Sequence, residues 1–547
     1  MAEDLTLEEL LDELVDDPVT RRELLRRAGI GAGAAAVAGR LPSVAAADAE
    51  ATPKRGGRLT VGAGEDTYRL TGPRANIAQY PLNANVFEPL VRMTGNYQLV
   101  PVLATRWRLK RPNTWHIELR RGVRFHDGRL FTAEAVKYTY DRIASAGGGT
   151  PGFGPDSTKI VDAYTVEITP KFVNDRLIEQ IVHPQNSIIA PGTAPDSGGK
   201  PVGTGPFSFV RYDRQQQIVV KRFDRYWGKK ALLDQITWKF LPDPNARRLA
   251  LEAGDVDLIL DVPREAVADL RRKGYLVQRS QVGAYEAMYC KIGTKGGASL
   301  LRGNPAVRRA IGYAIDRDAL VRGVYEGLAK NEETMVPARL LGRSARRIHG
   351  YTLDRAKARR LLDAAGWRVG PGGIRVKNGA RLSLDLIVGF PDAPTHGSVP
   401  EFVQDQLRRV GIGVEIVRLP DGPSYTARLD SGHGDLWLEQ GNQNDANPVF
   451  LPGLLFWSVG IFGDVGYQPL FAPRGRFDTL IVKALAARSF PKVKSITADA
   501  LHFLIDQDAI VIPLAGIYRI VVMRKKVHGF EVHPSGLQIR YNGVWLG

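Results

Sequence analysis

The sequence predicts an α/β protein of more than one lobe, at least one of them built on a parallel sheet. Three observations carry this: a strand–helix–strand unit with short joins between residues 382 and 419, helices with readable ends elsewhere, and a chain of 547 residues. A composition 44% hydrophobic and 24% charged excludes collagen-like, disordered and disulfide-scaffold classes and leaves room for two to four packed lobes.

In chain order, Arg58 to Gly62 has the pattern of a short strand. Thr132 is placed to cap a helix whose Val136, Tyr140 and Ile143 recur on one side. Asn304 is a good N-cap, Pro305 suits the first helical position, and Val307, Ile311, Ala314 and Ile315 form one apolar face. Asp354 caps the next helix, with Leu361, Leu362 and Ala365 facing inward and Gly366 ending it. Leu382, Leu384, Leu386, Val388 and Phe390 then alternate with period two, as a strand does. Val403, Leu407 and Val410 repeat as on a helix that stops at Gly411, and Val414 to Leu419 is the second strand. Short joins make this unit a right-handed crossover between parallel strands.

Residues 1–47 stand apart. Nine acids precede or accompany Arg21-Arg22, Leu24-Leu25 and Arg26-Arg27; then come the weakly hydrophobic stretch Ala28 to Gly39 and the small-residue site Ala45-Ala46-Ala47. That order is that of a cleavable signal peptide, and the arginine pair resembles the twin-arginine type, which exports folded proteins. Residues 48–56 read as a flexible leader. Without residues 1–47 the balance is 70 basic against 49 acidic residues, so the formal charge rises from +17 to +21. No stretch reaches the roughly 18 uninterrupted apolar residues that cross a bilayer. A single cysteine, Cys290, excludes an intramolecular disulfide, a cysteine-based zinc site and an iron–sulfur cluster.

Signatures of catalysis are mostly absent. There is no His-Glu-x-x-His, no Gly-x-Ser-x-Gly and no Gly-x-x-x-x-Gly-Lys-Ser/Thr. The nine histidines are scattered, and His528 and His533 do not share a helical face. Gly203-Thr204-Gly205 begins like a dinucleotide loop, but Pro206 and the missing third glycine make it a structural turn. His126-Asp127 reads as half of an acid–base pair with no nucleophile beside it. Basic pairs such as Arg247-Arg248, Arg308-Arg309, Arg359-Arg360 and Arg408-Arg409 are spread along the chain, which argues against nucleic-acid binding. Such dispersion suits solubility or peripheral contact with an acidic membrane face.

The order of several segments resembles the extracellular solute-binding proteins of the dipeptide/oligopeptide/nickel class (family 5), which feed ABC importers. The segments are Arg55 to Val61, Val86-Phe87-Glu88-Pro89-Leu90-Val91, Val100 to Ala104, and Trp115 to Gly128 ending in Phe-His-Asp-Gly. Val202 to Phe207, Asp224-Arg225-Tyr226-Trp227-Gly228, Leu251 to Asp257, Ala306 to Ala310 with Ala314 to Arg317, and Asp354 to Trp367 follow in order. The resemblance spans about residues 55–547. It implies a bilobal α/β, periplasmic-binding-protein-like fold of type II, with an inserted domain and a hinged ligand cleft. Lobe I would comprise 57–90, 196–285 and 507–547, the inserted domain 91–195, and lobe II 286–506. No catalysis and no cofactor are implied. The partners would be a solute, the permease and ATPase subunits of the importer, and the membrane surface. The protein would be an exported monomer, periplasmic or associated with the cell envelope.

The same resemblance places ligand contacts at Gln79 and Tyr80, at Tyr285, and in the run Asn442 to Pro448 through Asn444, Asp445 and Asn447. Here the chain departs from the pattern. Asn444 stands where peptide binders hold the ligand's ammonium with an aspartate, Asp445 is displaced by one residue, and Cys290-Lys291 replaces a family asparagine. The ligand is therefore open among a peptide, a neutral oligosaccharide, a metal chelate and another polar metabolite. Two other readings stand beside this one: an exported hydrolase using His126, Asp127 or another buried acid, and a basic surface that binds anionic polymers.

Overall fold

The computed structural model describes residues 52–547 apart from 65–83, 112, 146–153, 155, 172–173, 194–199, 298, 390–396, 421 and 458–474. The expected export signal, the start of the leader, Gln79 and Tyr80 thus lie outside the described residues. Residues 53–547 form one compact unit. Among the described residues, no helix is long and apolar enough to cross a membrane.

An eleven-stranded mixed sheet runs through the molecule. From edge to edge its strands are Gly413–Arg418, Ser383–Val388, Leu436–Asn442, Leu276–Cys290, Val511–Met523, Leu258–Leu260, Arg58–Ala63, Gln235–Phe240, Gln217–Arg222 and Phe207–Asp213. Ala329–Lys330 pairs with Val511–Met523 off this path. Alternation explains the membership: Ile236, Trp238 and Phe240 are buried while Gln235, Thr237 and Lys239 are not. The expected crossover is present, with Ser383–Val388 and Gly413–Arg418 paired in parallel and the helix Val399–Arg408 between them in the chain. Gly411 follows that helix at φ +87°, a conformation glycine adopts without penalty.

Two helix starts compare instructively. Asp354 caps as expected, accepting from the Lys357 amide at 2.7 Å. The helix Pro305–Ala314 also begins where expected, but Asn304 does not cap it. Its side-chain amide turns back to the Leu300 and Arg302 carbonyls, at 3.0 and 3.2 Å, which belong to the preceding turn.

A second, four-stranded antiparallel sheet, ordered Ala104–Lys110, Thr114–Leu119, Thr165–Ile168 and Thr158–Asp162, lies within residues 91–195 and carries the helix Ala133–Ser145. The apolar interior forms one large cluster, which joins this region to residues 284–517, and two smaller ones around Leu59, Trp238 and Tyr541 and around Leu251 and Val522. Cys290 sits in the large cluster, and burial pushes its thiol pKa up to about 12.

Three of the motifs singled out in the sequence meet at Glu88. This carboxylate is almost fully buried and accepts from Tyr226 Oη at 2.6 Å, Trp227 Nε1 at 2.8 Å and Thr204 Oγ1 at 2.9 Å. Around it Gly205 N donates to the Val86 carbonyl at 3.0 Å, and Phe207 N to the Asn85 carbonyl at 3.1 Å. Asn85 also clasps the C-terminal segment, donating to Ile539 O at 2.9 Å and accepting from Tyr541 N at 3.1 Å. The backbones pass so closely that a Cβ at Gly205 would lie 2.4 Å from Asn85 O, and one at Gly203 would lie 2.1 Å from Val86 O. Gly205→Ala is therefore expected to destabilise the protein by about 1–3 kcal/mol or more. Gly323→Ala, where a Cβ meets nothing within 4 Å, is the control and should leave the urea midpoint nearly unchanged.

Candidate functional site

Among the described strands, two run through both halves of the large sheet. Leu276–Cys290 and Val511–Met523 pair antiparallel from Leu276↔Met523 to Tyr289↔Val511, but the register slips between Arg279 and Val282 and again between Val282 and Ala284. Such bulges bend a strand and break its ladder. The core changes at the same place: Val277, Ile520 and Val522 pack in one cluster, Ala284 and Ile517 in another. Gly283 lies inside this break, where a Cβ would come within 2.3 Å of Pro534 O.

The run Asn442 to Pro448 leaves Leu436–Asn442 at this break, and Gln443 N donates to Gly283 O at 2.9 Å. Asp445 is turned into its own loop. Its Oδ1 accepts from Gln443 Nε2 and from Asn447 N, both at 3.0 Å, and burial pushes its carboxyl well above the usual carboxylate range. Asn447 Oδ1 in turn accepts from Val449 N at 3.1 Å. Asn444 is half-buried. Gln440, Gln443, Asn444 and Asn447 each keep one buried side-chain amide atom without a hydrogen-bond partner among the described residues. Tyr285 is buried over Gly441, where a Cβ would lie 2.4 Å from the ring, and its hydroxyl pairs with that of Tyr289. The structure thus brings Tyr285, Asn444, Asp445 and Asn447 to one end of the break, with Asp445 and Asn447 shaping the loop.

Several residues at this place were not singled out from the sequence. Arg519, on Val511–Met523, donates to Asn442 Oδ1, and burial lowers its pKa without discharging it. Arg264, at the start of the helix Arg264–Arg272, lies 4.1 Å from the ring centroid of Tyr325, whose hydroxyl donates to the buried Glu286 carboxylate. That contact joins residues packed in different core clusters: Tyr325 belongs to the large one, and Arg264's helix supplies Ala266 and Leu270 to a small one. The 91–195 region reaches across as well. Ala446 N donates to Glu179 O at 3.1 Å, Asp175 N to Leu485 O at 3.2 Å, and Arg176 Nη2 to Arg488 O at 3.4 Å. Isolated arginines and tyrosines at irregular spacing carry no sequence signal for such contacts.

The model of the bacterial extracellular solute-binding proteins, family 5 Middle, matches residues 98–460. The glutathione-binding protein GsiB of Pectobacterium atrosepticum is 28% identical over 477 residues, covering 82% of this chain and 87% of that protein. The nickel-binding periplasmic protein of Escherichia coli is 26% identical over 481 residues, covering 84% and 89%. Among solved structures, NikA from Brucella suis in complex with Fe(III)-EDTA superposes with a TM-score of 0.77 at 26% identity, over 90% of this chain and all of that one. The periplasmic binding protein DppA from Helicobacter pylori, in complex with the peptide STSA, gives 0.72 at 22% identity over 90% and 98%, a likeness of fold. The α/β, bilobal architecture is that of these proteins.

His126 has no free ring nitrogen for proton transfer. Nε2 lies 3.0 Å from Gly205 O and Nδ1 3.3 Å from Gly203 N, so backbone holds both sides of a neutral ring. Asp127 accepts from Arg129 Nε at 2.8 Å instead of facing the imidazole. Burial lowers the His126 pKa from 6.5 to about 4. A depressed histidine contributes its full stability above its unfolded pKa and loses it as pH falls toward the folded one, at up to about 1.4 kcal/mol per pH unit. The stability advantage of wild type over His126→Gln, measured by urea unfolding, should therefore shrink steadily from pH 6.5 to 4.5. A gap that is constant with pH would contradict the buried neutral ring.

Proposed function

The chain belongs to the bacterial extracellular solute-binding proteins of family 5 and is the substrate-binding protein of an ABC transporter; from that premise we propose that its solute is polar, rich in hydroxyl or amide groups, and held without an ammonium–carboxylate clamp. The observation that carries this is the set of buried amide atoms without a hydrogen-bond partner among the described residues, one each at Gln440, Gln443, Asn444 and Asn447. Buried polar groups without partners are costly, and a ligand dense in donors and acceptors would satisfy them. The carboxylate that a peptide's ammonium would need is weakened twice over: Asn444 replaces it, and the Asp445 carboxyl serves its own loop. The named relatives bind glutathione and nickel, so the family accommodates diverse solutes.

On this reading the lobes would meet at the bulged strands, with boundaries near residues 280–284 and 518–519 and residues 91–195 as the inserted domain. The Arg264–Tyr325 contact and the backbone bonds from Asp175 and Glu179 to Leu485 and Ala446 would belong to the closed state. A ligand can favour that state only through contacts it makes differently in the two states. Export would be by the twin-arginine-type signal, with cleavage after Ala47, and delivery would be to a membrane permease driven by its ATPase subunits. The role calls for no catalytic step.

Native mass spectrometry of the purified chain should detect one co-purifying small polar molecule per protein, and small-angle scattering should show compaction on adding it back. A chain that neither carries nor responds to any member of a sugar, peptide and polar-metabolite library would refute the reading. Asn444→Ala is expected to weaken binding about tenfold, the equivalent of one lost hydrogen bond to a buried group. Asn444→Asp should shift preference toward short peptides with a free ammonium, which isothermal titration would register. Arg264→Met should leave the ligand contacts in place yet enlarge the ligand-bound radius of gyration and speed ligand release.

A further inference from the structure

A small, solvent-open cavity with about 30 Å³ of room for water-sized molecules lies beside the Glu88 node. Its described lining includes Glu88, Arg92, Pro184, Ser187, Gln538 and Arg540 and no residue between 286 and 506, so the amide-rich loop takes no part in it. Two guanidiniums face one carboxylate in this space. The carboxylate is already saturated, since Tyr226, Trp227 and Thr204 donate to Glu88 at 2.6, 2.8 and 2.9 Å. Burial raises the Glu88 pKa, and the three donors oppose that rise. Arg540 lies beside the Tyr226 hydroxyl and close enough to Arg92 to disfavour its charge. Arg92 makes no hydrogen bond or ion pair among the described residues; apart from Arg540, the charged groups it faces are Glu88 and the exposed Glu531.

Two half-buried guanidiniums that share a carboxylate already committed to three other donors, with only an exposed second acid near Arg92, keep donors that a bound oxyanion would satisfy. Guanidinium forks suit carboxylate and phosphate oxygens, which they bind in pairs. That room is what about two waters would take, so the occupant is a compact anion whose charged oxygens fill it while the rest of it faces solvent. We propose that this cavity binds a small doubly charged oxyanion, a dicarboxylate or inorganic phosphate, between Arg92 and Arg540. Arg92 belongs to the short strand Val91–Met93 and Arg540 to the C-terminal segment, so the anion bridges two stretches of chain that meet here.

The test is isothermal titration and thermal unfolding of the purified chain with sodium succinate and with sodium phosphate, against sodium chloride at equal ionic strength and against glycerol. One saturable site per chain and a raised Tm are expected with succinate, phosphate or both, and neither with chloride or glycerol. Succinate alone would mark a carboxylate site and phosphate alone a phosphate site. Arg92→Met and Arg540→Met should each weaken binding at least tenfold, and Arg92→Lys, which keeps the charge but loses the fork, should weaken it less. Near-UV circular dichroism of each variant checks the fold, and Asn444→Ala should bind the anion as wild type does. No saturable heat with either anion, binding as tight as wild type in both methionine variants, or loss in Asn444→Ala with Arg92→Met unaffected would each overturn the proposal.

Discussion

A carboxylate taken out of water must recover from the protein the hydrogen bonds that water supplied, or it costs several kcal/mol. Glu88 recovers them from three side chains that are 116, 138 and 139 residues away in the chain. Satisfying that one group therefore fixes where the Gly203–Phe207 turn and the Asp224–Gly228 segment must sit. The turn then fixes His126, whose ring lies 4.9 Å from that of Phe223, and through Asn85 the C-terminal strand-like segment is drawn in. Contacts so distant in sequence carry a loop-closure cost that the hydrogen bonds and packing of this node must offset.

The opposite design governs the two long strands. Instead of saturating every group at one point, they carry bulges where the ladder slips and where the cores on either side part company. Rigid clusters on both flanks with a weakened ladder between them are what a hinge needs: the strain of bending is confined to a few residues. Polar and aromatic contacts from Arg264, Asp175, Arg176 and Glu179 span the break, and residues 91–195 also share an apolar core with residues 284–517.

The long periodic elements were legible in the sequence, because apolar spacing is a local property of the chain. The strand beginning at Ser383, the helix Val399–Arg408 and its parallel partner strand all stand where alternation and helical repeat put them. The family motifs were legible as words but not as a place: nothing in Phe-Glu-Pro-Leu or Asp-Arg-Tyr-Trp-Gly says that they share one carboxylate. Arginine roles were the least legible. The basic pairs read in the sequence only as dispersed charge. Arg359-Arg360 and Arg408-Arg409 are all exposed, whereas Arg247 and Arg308 are buried and clip backbone carbonyls, Arg308 donating to Leu301 O at 2.6 Å and to Asp508 O at 2.7 Å. Charge spacing along a chain cannot distinguish a guanidinium that meets water from one that meets orphan carbonyls. In the candidate site, the amide-rich loop was found from its sequence, whereas Arg519 and the Arg264–Tyr325–Glu286 contact depend on strands and helices brought together by the fold.

Cys290 carries a practical consequence. The sole thiol of the chain is buried on a long strand and held far from its reactive thiolate form. In the folded state Cys290 is shielded from maleimide and disulfide reagents, and labelling it requires an opening of the core that exposes it. A pair of new surface cysteines, one on each flank of the bulged strands, would accept fluorophores with little background and report any change in the distance between the flanks in single molecules.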